Sequence, residues 1–259
     1  MTATITLWSK HMKKFLANPM EMFGLAIQPI LWVVLYGVGM KSMMSPAMPG
    51  TGNTYITFMV PGIVALSALG GAVGGGSVWL TERLRGIVKE YLVAPIPRLS
   101  VLMGNALSTM TKSLFQAVVI LVVGVLMGAR LAPNPLGWLG GMALVAAFGL
   151  GFSGIALGMA SSTDNPGVYH SMIMLLNLPL LFLSNALYPL ESLPTWMRIG
   201  ASINPTSYVI DGIRQMMLQD GAAMTGGKVL PLWLCFGVVA AFAALGMAMA
   251  YKAFRRSVK

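Results

Sequence analysis

The chain has 259 residues and a formal net charge of +10, yet only 9% of its residues are charged and 56% are hydrophobic, where a soluble domain carries about 25% charged residues. That composition, with a mean hydropathy of +0.76, excludes a soluble enzyme, a disordered chain and a secreted disulfide scaffold, and the single Cys235 leaves no thiol for an intrachain bridge or a thiolate metal cluster. Uncharged runs at 22–40, 42–81, 113–129, 131–163, 165–190 and 229–251 each approach or exceed the roughly 20 residues a helix needs to cross the hydrocarbon core, so the predicted fold is an all-α polytopic membrane protein.

In chain order, the first predicted element is a helix over 4–18. Ile5, Trp8, Met12, Phe15 and Leu16 recur at helical spacing while Lys10, His11, Lys13 and Lys14 take the other faces, a pattern for a helix lying in the membrane interface. A solvated charged leader is the bland alternative. Asn18 and Pro19 then turn the chain into the first of six predicted spans, near 22–40, 55–79, 101–127, 138–160, 168–187 and 229–251. The first is expected to be retained, since it is longer than a signal h-region and no small-residue cleavage site follows it. Turn-rich loops are expected over 41–54, with Pro46, Pro49, Gly50 and Gly52, and over 132–137, with Pro133, Asn134 and Pro135.

Basic residues set the orientation, because Lys and Arg flanks stay on the cytoplasmic side. Eleven lie in the amino terminus, the second loop and the carboxyl terminus; five lie in the alternating segments, namely Lys41, Arg130, Arg198, Arg214 and Lys228; Lys112 sits within or near a span. Both termini are therefore expected in the cytoplasm, in a multi-pass protein of the cytoplasmic membrane. The positive charge reads as a topology signal facing anionic lipid, not as a nucleic-acid surface.

Between the second and third spans, residues 81–100 place Leu84, Ile87, Val88, Tyr91 and Leu92 at i, i+3, i+4, i+7 and i+8, with Glu82, Arg83, Arg85, Lys89 and Glu90 around them. This predicts one short amphipathic helix, which by composition alone fits an interfacial anchor as well as a docking surface. On the outer side, residues 184–220 are divided by Pro189, Pro194 and Pro205 and are too apolar for a water-exposed loop. Short re-entrant helices packed on the bundle are expected there, with Trp196 and Tyr208 at head-group level.

Several motifs carry no chemistry. Gly149-x-Gly-x-x-Gly154 lies inside an apolar span without a preceding strand and reads as helix packing. Gly226-Gly227-Lys228-Val229 lacks both the first glycine and the Ser/Thr of a phosphate loop. The small-residue pairs Gly70/Gly74, Gly71/Gly75, Gly137/Gly141 and Gly154/Gly158 permit close helix approach. His170 reads as a polar interfacial residue, and Asp164 and Asn165 before Pro166 read as a helix start. Ionisable residues are nearly absent from the predicted spans, and no metal or nucleophile constellation is legible.

Two segments together carry a family resemblance. ERLRGIVKEYLVAPIPRLSVLMG (82–104) resembles the Glu-Arg-x-x-Gly signature, followed by Leu, Pro and Arg, of ABC-2 type transporter permeases, and LYPLESLPTWMRIGASINPTSYVIDGIR (187–214) is similar to their Pro-Leu-x-x-Leu-Pro and Asn-Pro-x-(Ser/Thr)-Tyr run. The resemblance covers essentially the whole chain as a single transmembrane domain over 1–259 and is nearest to exporters of the daunorubicin-resistance and lipo-oligosaccharide type. Ser184-Asn185 departs from the Ser-Gly found in many relatives. The resemblance implies a half-transporter: two copies of this chain form the pathway, and two copies of a separate ATP-binding cassette subunit dock beneath, carrying the ATP and Mg while this chain holds no cofactor and no metal of its own. It implies that Glu82, Arg83, Leu84, Gly86, Ile87, Val88, Tyr91 and Leu92 form the ATPase-docking coupling helix. It further implies an extracellular gate of Leu187, Pro189, Leu193, Pro194, Trp196, Asn204, Pro205 and Tyr208. The expected activity is outward export of a hydrophobic or amphipathic substrate, with membrane lipids as neighbours; a secondary transporter or channel without an ATPase is the alternative. That alternative wants buried carboxylates or broken helices at the midplane.

Overall fold

A chain in hydrocarbon must satisfy its backbone within each segment, and the long uncharged runs do so as helices. The computed structural model describes residues 2–39, 55–93, 97–190, 193–219, 221 and 229–257; the expected loop over 41–54 and the phosphate-loop-like run 226–228 lie outside the described residues. Ten helices are present among them: α1 Thr2–Leu16, α2 Pro19–Gly39, α3 Tyr55–Leu84, α4 Ile87–Val93, α5 Arg98–Leu126, α6 Pro135–Ser162, α7 Pro166–Phe182, α8 Thr195–Ile203, α9 Pro205–Met217 and α10 Leu232–Ser257. No strand occurs among the described residues beyond an isolated antiparallel bridge between Leu131 and Leu218.

Five helices, α2, α3, α5, α6 and α10, are long and apolar enough to cross a membrane, and α7 is a shorter apolar helix of 17 residues. The span expected over 168–187 thus ends at Phe182, five residues early. The cause is local. Pro179 sits in the last turn, and the Asn204 side chain donates to the Leu180 and Leu183 carbonyls, satisfying acceptors that a continuing helix would have used. Three Asn-Pro pairs open helices in the same way: Asn134, Asn165 and Asn204 each accept a backbone N–H two residues on, with proline at the first helical position. Residues 135–137, expected in a loop, are therefore the first turn of α6.

α3 is the central element. Its lining from Tyr55 to Ala72 is buried almost throughout, in one apolar core with Ile120 of α5, Phe148 and Phe152 of α6, and Val209 and Ile213 of α9. α6 and α10 approach so closely that a Cβ at Gly154 would collide with the backbone of Gly246. The G-x-G-x-x-G run therefore sits in a helix contact, beside the Phe148, Phe152 and Phe242 rings whose centroids lie 4.8–5.6 Å apart. Gly71 and Gly75 admit Ser113 and Thr109 of α5 in the same manner. A second core at the opposite end joins Leu7 of α1, Trp79, Val88, Leu102, Tyr169 and Phe254.

α1 packs along α5 through Leu7, His11 and Phe15, all under 9% exposed, while Ile5 and Leu16 point away from the bundle. The sequence pattern places His11 on a polar face, but α1 turns it toward α5, where it is buried; Ile5 and Leu16, on the stripe expected toward acyl chains, are exposed.

Candidate functional site

At the end of the bundle that carries most of the basic residues, α3 overshoots its span and runs to Leu84. Glu82, Arg83 and Leu84 are thus its last turn and not the start of a separate helix. The chain reverses at Arg85-Gly86, where the Gly86 amide donates to the Arg83 carbonyl at 3.0 Å and Gly86 adopts φ +79°, a left-handed conformation that L side chains rarely take. α4 then begins at Ile87. The single helix expected over 82–92 is therefore two pieces, and the left-handed residue breaks the 3.6-residue register on which its stripe depended. Val88 is 4% exposed in the second core, Leu84 is 49% exposed, and Ile87 and Tyr91 are half-buried. The side chain of Leu92 lies outside the described residues. Among the described residues, its two chain neighbours aside, no atom lies within 4 Å of a Cβ built on Gly86.

The two charges of the Glu-Arg pair turn inward. Glu82 is buried and accepts from Lys10 of α1 at 3.1 Å, and Lys10 also donates to the Tyr91 hydroxyl of α4, with its ammonium 5.0 Å from that ring. Burial alone would lower the Lys10 pKa, but the hydrogen bonds to Tyr91 and Glu82 and the carboxylate's charge outweigh it and raise the value. Neighbouring His11 moves the other way: burial lowers its pKa, Glu82 opposes this, and Lys10, Lys112 and Lys14 add to it. Arg83 donates to the Ser161 carbonyl at 2.5 Å, to the Thr163 carbonyl and to the Asp164 carboxylate at 2.6 Å, so it caps the last carbonyls of α6. Asp164 is mostly exposed, and its ion pair adds little by itself. Asn165, the neighbour, is the helix cap. His170 is exposed, with Nδ1 2.8 Å from the Pro166 carbonyl. Lys112, left near a span by the sequence, reaches Glu21 of α2 at 2.6 Å and lies 4.8 Å from the Phe15 ring.

The last turn of α3 is thus tied to its neighbours on two sides. Glu82–Lys10–Tyr91 links α3, α1 and α4, and Arg83 links α3 to the α6–α7 junction. Around the elbow Leu84, Arg85, Lys89, Glu90 and Val93 are exposed, the last at 88%.

At the opposite end, the residues expected as a gate divide by burial. Leu187, Leu193 and Asn204 are buried, Pro189, Pro205 and Tyr208 are intermediate, and Pro194 and Trp196 are exposed, with Trp196 at 67%. Leu187 offers its carbonyl to Tyr55 at 3.2 Å, and Tyr208 donates to the Ser202 carbonyl at 2.7 Å. Beneath them lies a cluster that the sequence reading missed. Arg214, counted there as an outer loop charge, is wholly buried in α9. It donates to the Phe58 carbonyl at 3.1 Å and the Asn185 carbonyl at 2.7 Å, stands 3.8 Å from Asp211 and lies 3.8 Å over the Phe58 ring. Asn185, the departure from Ser-Gly, donates its side chain to Asp211 at 2.5 Å. The i, i+3 spacing of Asp211 and Arg214 inside an apolar stretch was the available signal.

Among the described residues no three His, Cys, Asp or Glu side chains gather as metal ligands.

Residues 2–218 match the ABC-2 type transporter family. The chain is 31% identical over 242 residues to the transport permease ycf38 of Pyropia yezoensis, covering 90% of this chain and 81% of that protein. It is 32% identical over 201 residues to ycf38 of Porphyra purpurea, covering 76% and 67% of the two chains. To the daunorubicin resistance ABC transporter permease protein DrrB1 of Streptomyces coeruleorubidus it is 26% identical over 249 residues, covering 95% and 85%.

Proposed function

The chain belongs to the ABC-2 type transporter family as a multi-pass membrane subunit, and from that premise we propose that it is the permease half of an ATP-driven exporter with both termini in the cytoplasm. Two copies, with two copies of a separate ATP-binding cassette subunit holding ATP and Mg, move a hydrophobic or amphipathic molecule outward across the cytoplasmic membrane. The observation that carries this reading is the elbow at Gly86. α4 packs Val88 into the second core and leaves an exposed apolar and charged rim, while Lys10, paired with Glu82, ties it through Tyr91 to α1 and α3.

In this reading Leu84, Ile87 and Val93 seat in the ATPase, and Arg85, Lys89 and Glu90 meet its rim, as apolar anchors with polar borders do in other interfaces. Glu82 and Arg83 are positioning residues, not contact residues. When the ATPase dimer closes, displacement of α4 passes through Lys10 to α1 and through Arg83 to the α6–α7 junction. α7 is the element most open to a second copy: it carries exposed Met174, Leu175 and Leu178, and Asn177 is exposed in mid-helix. An amide facing lipid there would lack a partner, whereas one facing a second subunit or the pathway would not.

Ion coupling without an ATPase is favoured by one observation, the buried Asp211–Arg214 pair. Its groups are already held by Asn185 and two backbone carbonyls, which suits a fixed strut better than a site that must load and release an ion.

The test is co-expression with an ATP-binding cassette subunit. Leu84→Asp and Val93→Asp are expected to abolish co-purification and ATP-dependent efflux of an amphipathic dye from vesicles, while insertion stays normal. Dye transport by this chain alone, driven by a proton gradient, would overturn the reading.

A further inference from the structure

The carboxyl-terminal turn of α10 and the first turn of α5 enclose an open groove of about 640 Å³ lined by Pro97, Leu99, Tyr251, Phe254 and Arg255. Its lining is mixed. Leu99 is 52% exposed and Phe254, buried in the second core, forms the floor, while the Arg255 guanidinium stands 5.8 Å from the exposed Tyr251 ring.

The position matters as much as the lining. The uncharged run of α10 ends at Tyr251, and the next residue is Lys252, so the groove straddles the level where hydrocarbon gives way to head groups. Lys252 and Arg255 are basic and exposed there, and an anionic lipid gains more from them than a zwitterionic one, while Leu99 and Phe254 offer an acyl chain an apolar contact that a free phosphate cannot use.

We infer that this groove binds one anionic phospholipid, its phosphate on Arg255 beside Lys252 and an acyl chain along Leu99 and Phe254. Because Phe254 also packs in the core that holds Val88 of α4, the bound lipid braces the floor beneath that helix.

Neither an ATPase nor a cargo is needed to test this, so its failure is separate from failure of the exporter reading. The purified chain is placed in nanodiscs of mixed phosphatidylglycerol and phosphatidylcholine, and retained lipid is counted by native mass spectrometry. Phosphatidylglycerol should be enriched on the wild type. Arg255→Gln should lower its retention about fivefold, the size of one basic residue's attraction to an anionic surface. Arg255→Lys should retain it, Leu99→Ser should weaken it, and Lys13→Gln on exposed α1 should not change it. Glycerol 3-phosphate should fail to displace it, since the acyl chain supplies part of the binding. Equal retention of the two lipids, or full retention in Arg255→Gln, would overturn the proposal; so would displacement by glycerol 3-phosphate, which would make the site a phosphate site. Loss of ATPase co-purification in Arg255→Gln with lipid retention unchanged would instead assign the groove to the protein partner.

Discussion

Arg214 is fully buried, and its charge is met by Asp211, two backbone carbonyls and the Phe58 ring. Removing one member of a buried ion pair leaves the other uncompensated and costs about 3–5 kcal/mol, whereas replacing both by apolar residues of similar volume is often neutral. Arg214→Met is therefore expected to lower thermal stability in detergent by that amount, and Arg214→Met combined with Asp211→Leu to recover most of it. Two single losses that simply add would show that the residues act independently. In the neighbouring sequence only Asp211, three residues before it, hints that Arg214 is internal. A charge between Pro205 and Lys228 counts as a loop charge until α9 is seen wedged among α3, α6 and α10.

At the scale of elements, the elbow between α3 and α4 depends on one backbone conformation. Gly86 has φ +79° and open space above it within the chain, so a side chain there is opposed by backbone strain of roughly 1–2 kcal/mol and not by a clash with this chain's own atoms. Asn tolerates the left-handed region better than Ala. If conformation is what Gly86 supplies, Gly86→Ala should reduce efflux and ATPase co-purification while Gly86→Asn keeps most of both. If close approach to a partner is the requirement, Asn fails as badly as Ala. The same element shows how a periodic pattern misleads: Leu84, Ile87, Val88, Tyr91 and Leu92 have helical spacing in the sequence, but a left-handed residue among them rotates the two halves onto different faces. The end of α7 is a parallel case, since hydropathy continues past Phe182 while Asn204, twenty-two residues on, takes two of the carbonyls at which the helix stops.

For the molecule as a whole, basic residues divide eleven to five between the two sets of segments. With Arg214 removed from the outer set as a buried group, the asymmetry becomes steeper, which supports the proposed cytoplasmic position of both termini. Cysteines introduced as Lys13→Cys and Lys89→Cys should resist a membrane-impermeant thiol reagent in intact cells, while Asn134→Cys and Thr195→Cys react. The native Cys235 is buried and should stay silent. Labelling of Lys89→Cys from outside would reverse the proposed topology.

The all-α polytopic class, the order of the apolar helices and the family were determined by the sequence by itself. Each rests on a property summed over many residues: uncharged length, basic bias, and two motifs of fixed spacing at 82–104 and 187–214. Such sums survive an error at any one position. The directions of individual side chains were decided only by the tertiary structure. Glu82 and Arg83 are adjacent in sequence, yet one turns to Lys10 and the other to the end of α6, across 72 and 78 residues of chain. A buried charge is tolerable only where partners from distant segments converge on it, and no local pattern of residue types carries the position of a partner that far away.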